Sequence, residues 1–267
     1  MHLHANSRHL GVPSGWSRPG RPFPWAVPMA FLLLCLLVPS GVRAQGDIDT
    51  LNYAIADNDL EYVQELLDSG LNINAFNEVG LTPLIYAVET YAGDQEILSL
   101  LLDRGANVNQ QITRNGKTAL IKAVSQPETL CLAPLLLEKG ADPNLEDRQG
   151  YVALWYALQL YGQEGVIAEE LITAVTVMAE KGADLEITLQ GGDTPLIFAA
   201  QNGLLDMVRI FVEHEASKDA KNEAGRTALD LAKENEQEEV VEFLESLESL
   251  DSTGGAEAPP AEKPPVG

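Results

Sequence analysis

An all-α solenoid of about six helix-turn-helix repeats, joined by short β-turn or hairpin connections, is the fold class predicted by this 267-residue chain. Three observations carry the prediction. A segment with Gly and Ala seven residues apart recurs five times without a gap. A second, apolar segment with its own Gly-Ala ending, or a close variant of it, follows each of the first four. With 45% hydrophobic and 21% charged residues, the chain also carries enough apolar material to bury a continuous core.

The first segment reads Gly80-Leu-Thr-Pro-Leu-Ile-Tyr-Ala87, Gly116-Lys-Thr-Ala-Leu-Ile-Lys-Ala123, Gly150-Tyr-Val-Ala-Leu-Trp-Tyr-Ala157, Gly192-Asp-Thr-Pro-Leu-Ile-Phe-Ala199 and Gly225-Arg-Thr-Ala-Leu-Asp-Leu-Ala232. Thr or Asp near the turn can accept from the orphan amides of a following helix. Pro83 and Pro195 fit the first helical turn, where a missing N–H costs nothing. The closing alanines let two antiparallel helices approach closely. The second segment reads Leu100-Leu-Leu-Asp-Arg-Gly105-Ala-Asn-Val-Asn109, Leu135-Leu-Leu-Glu-Lys-Gly140-Ala-Asp-Pro-Asn144, Val177-Met-Ala-Glu-Lys-Gly182-Ala-Asp-Leu-Glu186 and Ile210-Phe-Val-Glu-His-Glu215-Ala-Ser-Lys-Asp219, with a weaker first copy ending Gly70-Leu-Asn-Ile-Asn74. Gly70, Gly105, Gly140 and Gly182 end the second helix with a left-handed cap. One such pair cannot bury its apolar face, so neighbours must stack.

These residues resemble the ankyrin repeat, whose signature is a Gly-x-Thr-Pro-Leu-His-x-Ala turn and helix, a Leu-rich helix, and Gly-Ala-Asp-x-Asn. The likeness covers 47 to about 248, in repeats at 47–79, 80–115, 116–149, 150–191, 192–224 and 225 to about 248. The signature's His is replaced throughout, by Ile85, Ile121, Trp155, Ile197 and Asp230, which removes its usual hydrogen bond to the turn and leaves the packing logic intact. The end copies are atypical, as caps should be: Thr50-Leu51-Asn52 stands in place of Thr-Pro-Leu, and Glu234, Glu236, Glu238 and Glu239 surround Val240, Val241, Phe243 and Leu244. Successive turn glycines are 36, 34, 42 and 33 residues apart. The fourth repeat is therefore enlarged, around 159–165 between its helices, with both helices candidates for lengthening.

The ends are different material. Residues 1–44 hold Arg8, Arg18, Arg21 and Arg43 and no acid; Arg18 and Arg21 precede the apolar run Met29 to Val38 and then small residues up to Ala44. Those are the three parts of a secretory signal peptide, and ten apolar residues are too few to cross a bilayer core of roughly 30 Å. Cleavage after Ala44 is expected, with an uncut anchor and a start at Met29 as alternatives. The domain organisation read from the sequence is a signal peptide at 1–44, repeats at 45–250 and a disordered Pro/Ala/Glu tail at 251–267. An exported chain of this kind fits a bacterial periplasm, with secretion as the alternative.

The net charge of -23 argues against capture of nucleic-acid phosphates. Without the leader, Cys131 and His214 are the only Cys and His, so no intramolecular disulfide and no Cys/His metal cluster can form, and no cofactor is expected. Cys131 reads as a partly buried helix residue, and His214 as a solvated residue near a helix C-terminus rather than a catalytic base. Asp142, Asn144 and Glu146 alternate like a calcium loop, but Asp147 stands where that loop needs Gly. The expectation is a monomeric, non-catalytic module that binds another protein and, after cleavage, no membrane.

The resemblance implies binding through turn tips and first-helix ends on a concave side. Carried over, it assigns partner contact to Leu81, Arg114, Lys117, Arg148, Tyr151, Asp193 and Arg226. Arg114, Lys117, Arg148 and Tyr151 form the expected centre, a basic and aromatic patch fitted to an acidic or carboxylate-bearing partner, since Arg and Tyr recur at interface hot spots. Inhibition or protection of an exported enzyme is the subrole considered. A sensor of a small ligand or anion at Arg114, Lys117 and Arg148 is the alternative, followed by a carboxylate hydrolase near 159–165. Trp155 is expected to pack between repeats, and Lys122 occupies an apolar position without a reason visible in sequence.

Overall fold

The computed structural model describes residues 47–90, 95–163 and 165–253; the expected leader and the tail after Thr253 lie outside them. Among the described residues twelve α-helices run in six pairs. They are α1 (Ile48–Ala56) and α2 (Leu60–Asp68), α3 (Pro83–Glu89) and α4 (Gln95–Asp103), α5 (Ala119–Ala123) and α6 (Ala133–Glu138). Then follow α7 (Ala153–Gln159) and α8 (Ala168–Glu180), α9 (Pro195–Gln201) and α10 (Leu205–Glu213), α11 (Ala228–Glu234) and α12 (Glu238–Thr253). The helix pairs confirm the repeat architecture. The last helix continues three residues into the segment expected to be tail.

The first helices of the second, third, fifth and sixth repeats start where a Thr side chain stops the turn, and α1 starts at Asp47. Thr82, Thr118 and Thr194 have extended backbone, and their hydroxyls accept from the amides of Ile85 (3.4 Å), Ile121 (3.2 Å) and Ile197 (3.3 Å). Thr227 and Asp230 cap each other reciprocally, at 3.2 and 3.0 Å. The fourth repeat has Val152 in this place and no side-chain cap. In the third, the outer helix is reached through a 3-10 turn, Pro127–Leu132, because Pro134 cannot donate to the Leu130 carbonyl and the Ala133 amide takes that acceptor instead.

First helices form an inner layer, with α1 on α3, α3 on α5, α5 on α7 and α9 on α11; second helices form an outer layer, with α2 on α4, α6 on α8, α8 on α10 and α10 on α12. Ala123, Ala157, Ala199 and Ala232 are fully buried where the layers meet, so any larger side chain would push them apart. Leu84, Leu120, Leu154 and Leu196 fill the same core from the preceding turn of each helix.

Two sets of polar contacts hold the stack along its edges. At the turn tips, the Arg148 amide donates to Asn115 O (2.9 Å) and the Glu223 amide to Gly191 O (3.0 Å). A Cβ on Gly116 would stand 2.9 Å from the Arg148 nitrogen, and one on Gly192 2.9 Å from that of Glu223, so only glycine permits this approach. At the opposite edge, Asn74, Asn109 and Asn144 each reach into the next repeat. Their carbonyls accept from the amides of Asn107 (2.7 Å), Asp142 (2.9 Å) and Asp184 (2.7 Å), while their Nδ2 groups donate to the carbonyls of Gly105, Gly140 and Gly182. Glu186 continues the series by accepting from the Ser217 amide at 2.8 Å, but a carboxylate has no donor for the other half of the clasp. Asp142 and Asn144 are thus stitches rather than a calcium loop, and no cluster able to hold a metal ion exists among the described residues.

The connections expected as β-turns or hairpins are turns, each closed by two backbone bonds of its first residue: the amides of Asn77, Ile112, Asp147, Leu189 and Asn222 donate to the carbonyls of Leu81, Lys117, Tyr151, Asp193 and Arg226, and their carbonyls accept from the amides of Gly80, Gly116, Gly150, Gly192 and Gly225. The enlargement of the fourth repeat falls differently from the expectation. The seven-residue α7 matches α3 and α9, whereas α8, with 13 residues against nine in α4 and α10, is one turn longer, and 160–167 take up the remainder.

Two substitutions test these local rules. Val152→Thr restores the missing cap at an isosteric cost and is expected to raise stability by about 1 kcal/mol. Asn52 lies 4% exposed at the register of Ile85, one place further along the repeat than the Leu84 position the sequence assigned it, and neither of its polar side-chain atoms has a partner among the described residues. Asn52→Ile should stabilise by roughly 1–3 kcal/mol, the penalty of an unpaired buried polar group. Urea titrations of both variants against the parent read these shifts, and unchanged or lower midpoints would contradict them.

Candidate partner-binding face

The repeat register places one residue of each inner helix in a common row: Tyr53, Tyr86, Lys122, Tyr156, Phe198 and Leu231. Four of the six are aromatic. Tyr53 is 71% exposed and the others are half-buried, so the row is neither core nor ordinary solvated surface. Lys122 finds its reason here, since its Nζ lies 2.6 Å from Glu89 Oε1 on the preceding inner helix, an ion pair between repeats that sequence reading missed.

Beside this row the third and fourth repeats build an aromatic platform. Tyr151, on the turn tip, stacks on Trp155 with ring centres 4.0 Å apart and planes 16° from parallel. Tyr156 meets Trp155 edge-on at 5.0 Å and Tyr151 edge-on at 6.2 Å. The Lys117 ammonium sits 3.9 Å over the Tyr156 ring, a cation–π contact worth about 0.5–1 kcal/mol near the surface. Burial, followed by the nearby charge of Lys122, pushes the Lys117 ammonium below the ordinary lysine range, while Asp147 acts the other way. Among the described residues it has no carboxylate partner.

Asp147 anchors the platform from beneath. It is 6% exposed; one carboxylate oxygen accepts from the amides of Gln149 (2.8 Å) and Tyr151 (3.1 Å), and the other from the Tyr156 hydroxyl (2.6 Å). Asn77 and Asn222 perform the first task in their own turns. An acid at this position adds the second. Burial first, then the hydrogen bond and charge of Asp147, raises the Tyr156 phenol well above the ordinary tyrosine range.

Of the seven residues expected to contact a partner, the structure brings Lys117 and Tyr151 onto one platform and leaves Arg114 exposed without a partner among the described residues. Arg148 is adjacent but engaged, its guanidinium donating to Thr113 O at 2.5 Å. Asp193 accepts from Asn222 Nδ2 at 2.8 Å, and Arg226 pairs with Glu234. Leu81 is a correction: at 9% exposure it belongs to the core, because its carbonyl closes the turn to Asn77 and its side chain follows the helix inward. Trp155 is only half-buried, unlike Ile85, Ile121 and Ile197 at the same register, so it serves the platform as well as the packing. His214 caps the end of α10 in solvent.

Paired helices, glycine turn tips and a side-chain row on the inner layer define a helical-repeat solenoid with an open face. The family model for ankyrin repeats in three copies matches residues 29–112 and 166–251, and the chain belongs to the ankyrin-repeat family. It is 36% identical over 113 residues to ankyrin repeat, SAM and basic leucine zipper domain-containing protein 1 of Atelerix albiventris, covering 41% of this chain and 23% of that protein. It is 29% identical over 223 residues to the B-cell lymphoma 3 protein homolog of Mus musculus, covering 80% of this chain and 47% of that one. The chain thus spans from about a quarter to about half of these relatives' length. Among solved structures, a chain in the complex of the Bd0816 predatory endopeptidase from Bdellovibrio bacteriovorus with immunity protein Bd3460 aligns with a TM-score of 0.51 and 26% identity, over 75% of this chain and 99% of that chain.

Removing the Tyr156 hydroxyl leaves a buried carboxylate oxygen of Asp147 short of its partner. Tyr156→Phe is expected to cost about 1–3 kcal/mol in a urea or thermal titration. Because the fold favours the neutral phenol, the parent's advantage is complete below pH 10 and shrinks as pH rises above it, where the unfolded tyrosine loses its proton first. Equal stability of the two proteins at neutral pH would refute this account of Asp147.

Proposed function

We propose that this chain is an exported, non-catalytic ankyrin solenoid that binds a partner protein with the turn tips and inner helices of its second to fourth repeats and so inhibits or protects an exported enzyme. One observation carries the reading. Among the described residues two cations, Arg114 and Lys117, have no carboxylate partner, and Lys117 lies on the Tyr151/Trp155/Tyr156 platform, in a chain of net charge -23 where acids abound. A rigid aromatic surface with desolvated or unspent cations suits a carboxylate-bearing protein loop, in which apolar contact supplies affinity and the charge supplies register.

Export to a bacterial periplasm, or secretion, follows from the leader pattern of 1–44. The choice of an enzyme as partner is supported by the neighbouring structure, in which an immunity protein is in complex with an endopeptidase and the aligned chain is covered almost end to end. A peptidase is accordingly the first class of enzyme to test. Lys117 can also complete its half-buried environment with a small anion, which favours the sensor as second reading.

The test captures binders from the exported fraction of the source cells on immobilised full chain, beside Arg114→Glu/Lys117→Gln. Arg148 stays unchanged because it supports the fold through Thr113. Captured proteins are identified by mass spectrometry, and any enzyme among them is assayed with and without each chain. The expected outcome is an enzyme retained and inhibited by the parent, with binding at least tenfold weaker for the variant. A captured enzyme of unchanged activity and unchanged stability would remove both the inhibitory and the protective role. An empty capture by two folded proteins, with saturable binding of a small anion to the parent alone, would favour the sensor.

A further inference from the structure

The enlarged fourth repeat opens a cavity of about 460 Å³ against the fifth repeat. Apolar wall is provided by Tyr161, Leu171, Ile172 and Met207, and the carboxylate-bearing residues Asp206 and Glu239 also line it. The cavity lies where inner helices end and outer helices begin, a helix length of about 10 Å from the turn tips. Tyr161, edge-on to Phe198 at 6.0 Å, and Ile167, 56% exposed, leave apolar surface open beside it.

Charge decides what fits. The starts of α8, α10 and α12 bring Glu169, Glu170, Asp206, Glu238 and Glu239 to this edge, and their first turns contain no Lys or Arg. Three helix N-termini offset roughly +1.5 of those five negative charges, which leaves the rim clearly negative. Arg209, the basic residue of α10, lies with its guanidinium carbon 4.5 Å over the Phe243 ring. Neither Asp206 nor Glu239 has a cation partner among the described residues.

We propose that this cavity receives a lysine or arginine side chain from a surface segment of a protein partner, with the aliphatic stem against Leu171, Ile172 and Met207 and the cationic head between Asp206 and Glu239. An apolar wall with an acidic rim matches the two halves of such a side chain, which buries its stem and keeps its head polar. A carboxylate-bearing guest is repelled, and an uncharged one gains nothing from the rim. The cavity therefore selects the opposite charge from the Lys117 platform, and the two sites do not depend on one another.

The test is a methyl NMR titration of the full chain with three tripeptides, Ac-Ala-Lys-Ala-NH2, Ac-Ala-Nle-Ala-NH2 and Ac-Ala-Glu-Ala-NH2, read at the Met207 and Ile172 methyls. The lysine peptide is expected to bind saturably and about fivefold more tightly than its norleucine isostere, with no saturable shift from the glutamate peptide. Asp206→Asn/Glu239→Gln should erase the fivefold preference. Ala168→Trp, at an exposed position on the cavity wall, should abolish all three responses while distant methyl resonances stay in place. Equal binding of lysine and norleucine peptides would make the cavity a site for uncharged guests and overturn the proposal, as would no saturable shift at all. Neither result bears on the Lys117 platform.

Discussion

No helix pair in this chain can bury its own apolar face, and everything else in the structure follows from the need to lay one pair on the next. Close stacking requires small residues where the layers meet, hence the buried alanines at the ends of the inner helices. It also brings backbone against backbone at the turn tips, where Gly116 and Gly192 leave no room for a Cβ. The polar groups exposed by that approach are then satisfied in the same repeating way, by amide-to-carbonyl bonds at one edge and asparagine clasps at the other. Each clasp joins only neighbours, so the stability of the stack is a sum of local terms and a weak joint stays local.

That locality separates structural from available charge. Exposed ion pairs along the outer edge, such as Arg104 with Asp68 and Lys139 with Asp103, repeat at the same register and add little each. Arg148 and Arg226, which look free in the sequence, are drawn into bonds with an adjacent turn or helix. Among the described residues Arg114 and Lys117 are not. In a strongly acidic protein, a cation kept half-buried on an aromatic ring without a carboxylate is disfavoured by burial and by the neighbouring Lys122, and a partner's carboxylate would relieve that cost.

The fold was almost wholly legible because its signals repeat in register. Gly, Thr, Pro, Leu and Ala fall at fixed offsets, and each has a backbone or packing reason that sequence exposes directly. The site was legible only in part. Turn-tip position singled out Lys117 and Tyr151, which meet on one platform, but the same reasoning took Leu81 for surface, since a turn position does not reveal which way its side chain leaves the backbone. Asp147 and Tyr156 escaped notice because their partnership joins a turn to a helix nine residues on, outside any repeat pattern. Lys122 and Glu89 escaped because an ion pair across two repeats has no local signature. Sequence periodicity reports what neighbouring repeats share, and these contacts occur at one place in the stack only.

The fourth repeat gathers the departures. It has Val152 where the other copies from the second onward have a capping Thr, and the turn leading into it has Asp147 where two other turns have Asn. A half-buried Trp155 stands where three others bury Ile, and an insertion precedes an outer helix one turn longer than its neighbours. The insertion lies between the two helices of this repeat, and the cavity opens beside it against the fifth. The missing cap weakens a stack whose stability is local, while Asp147 adds a bond that the turns with Asn lack. The concentration of these departures around one repeat, with the aromatic platform at its turn tip and the acidic cavity at its far end, is the pattern expected where local rules are relaxed for binding rather than for folding. A partner able to engage both ends would present a carboxylate and a cation about one helix length apart, and this polarity fixes the direction in which it lies across the repeat.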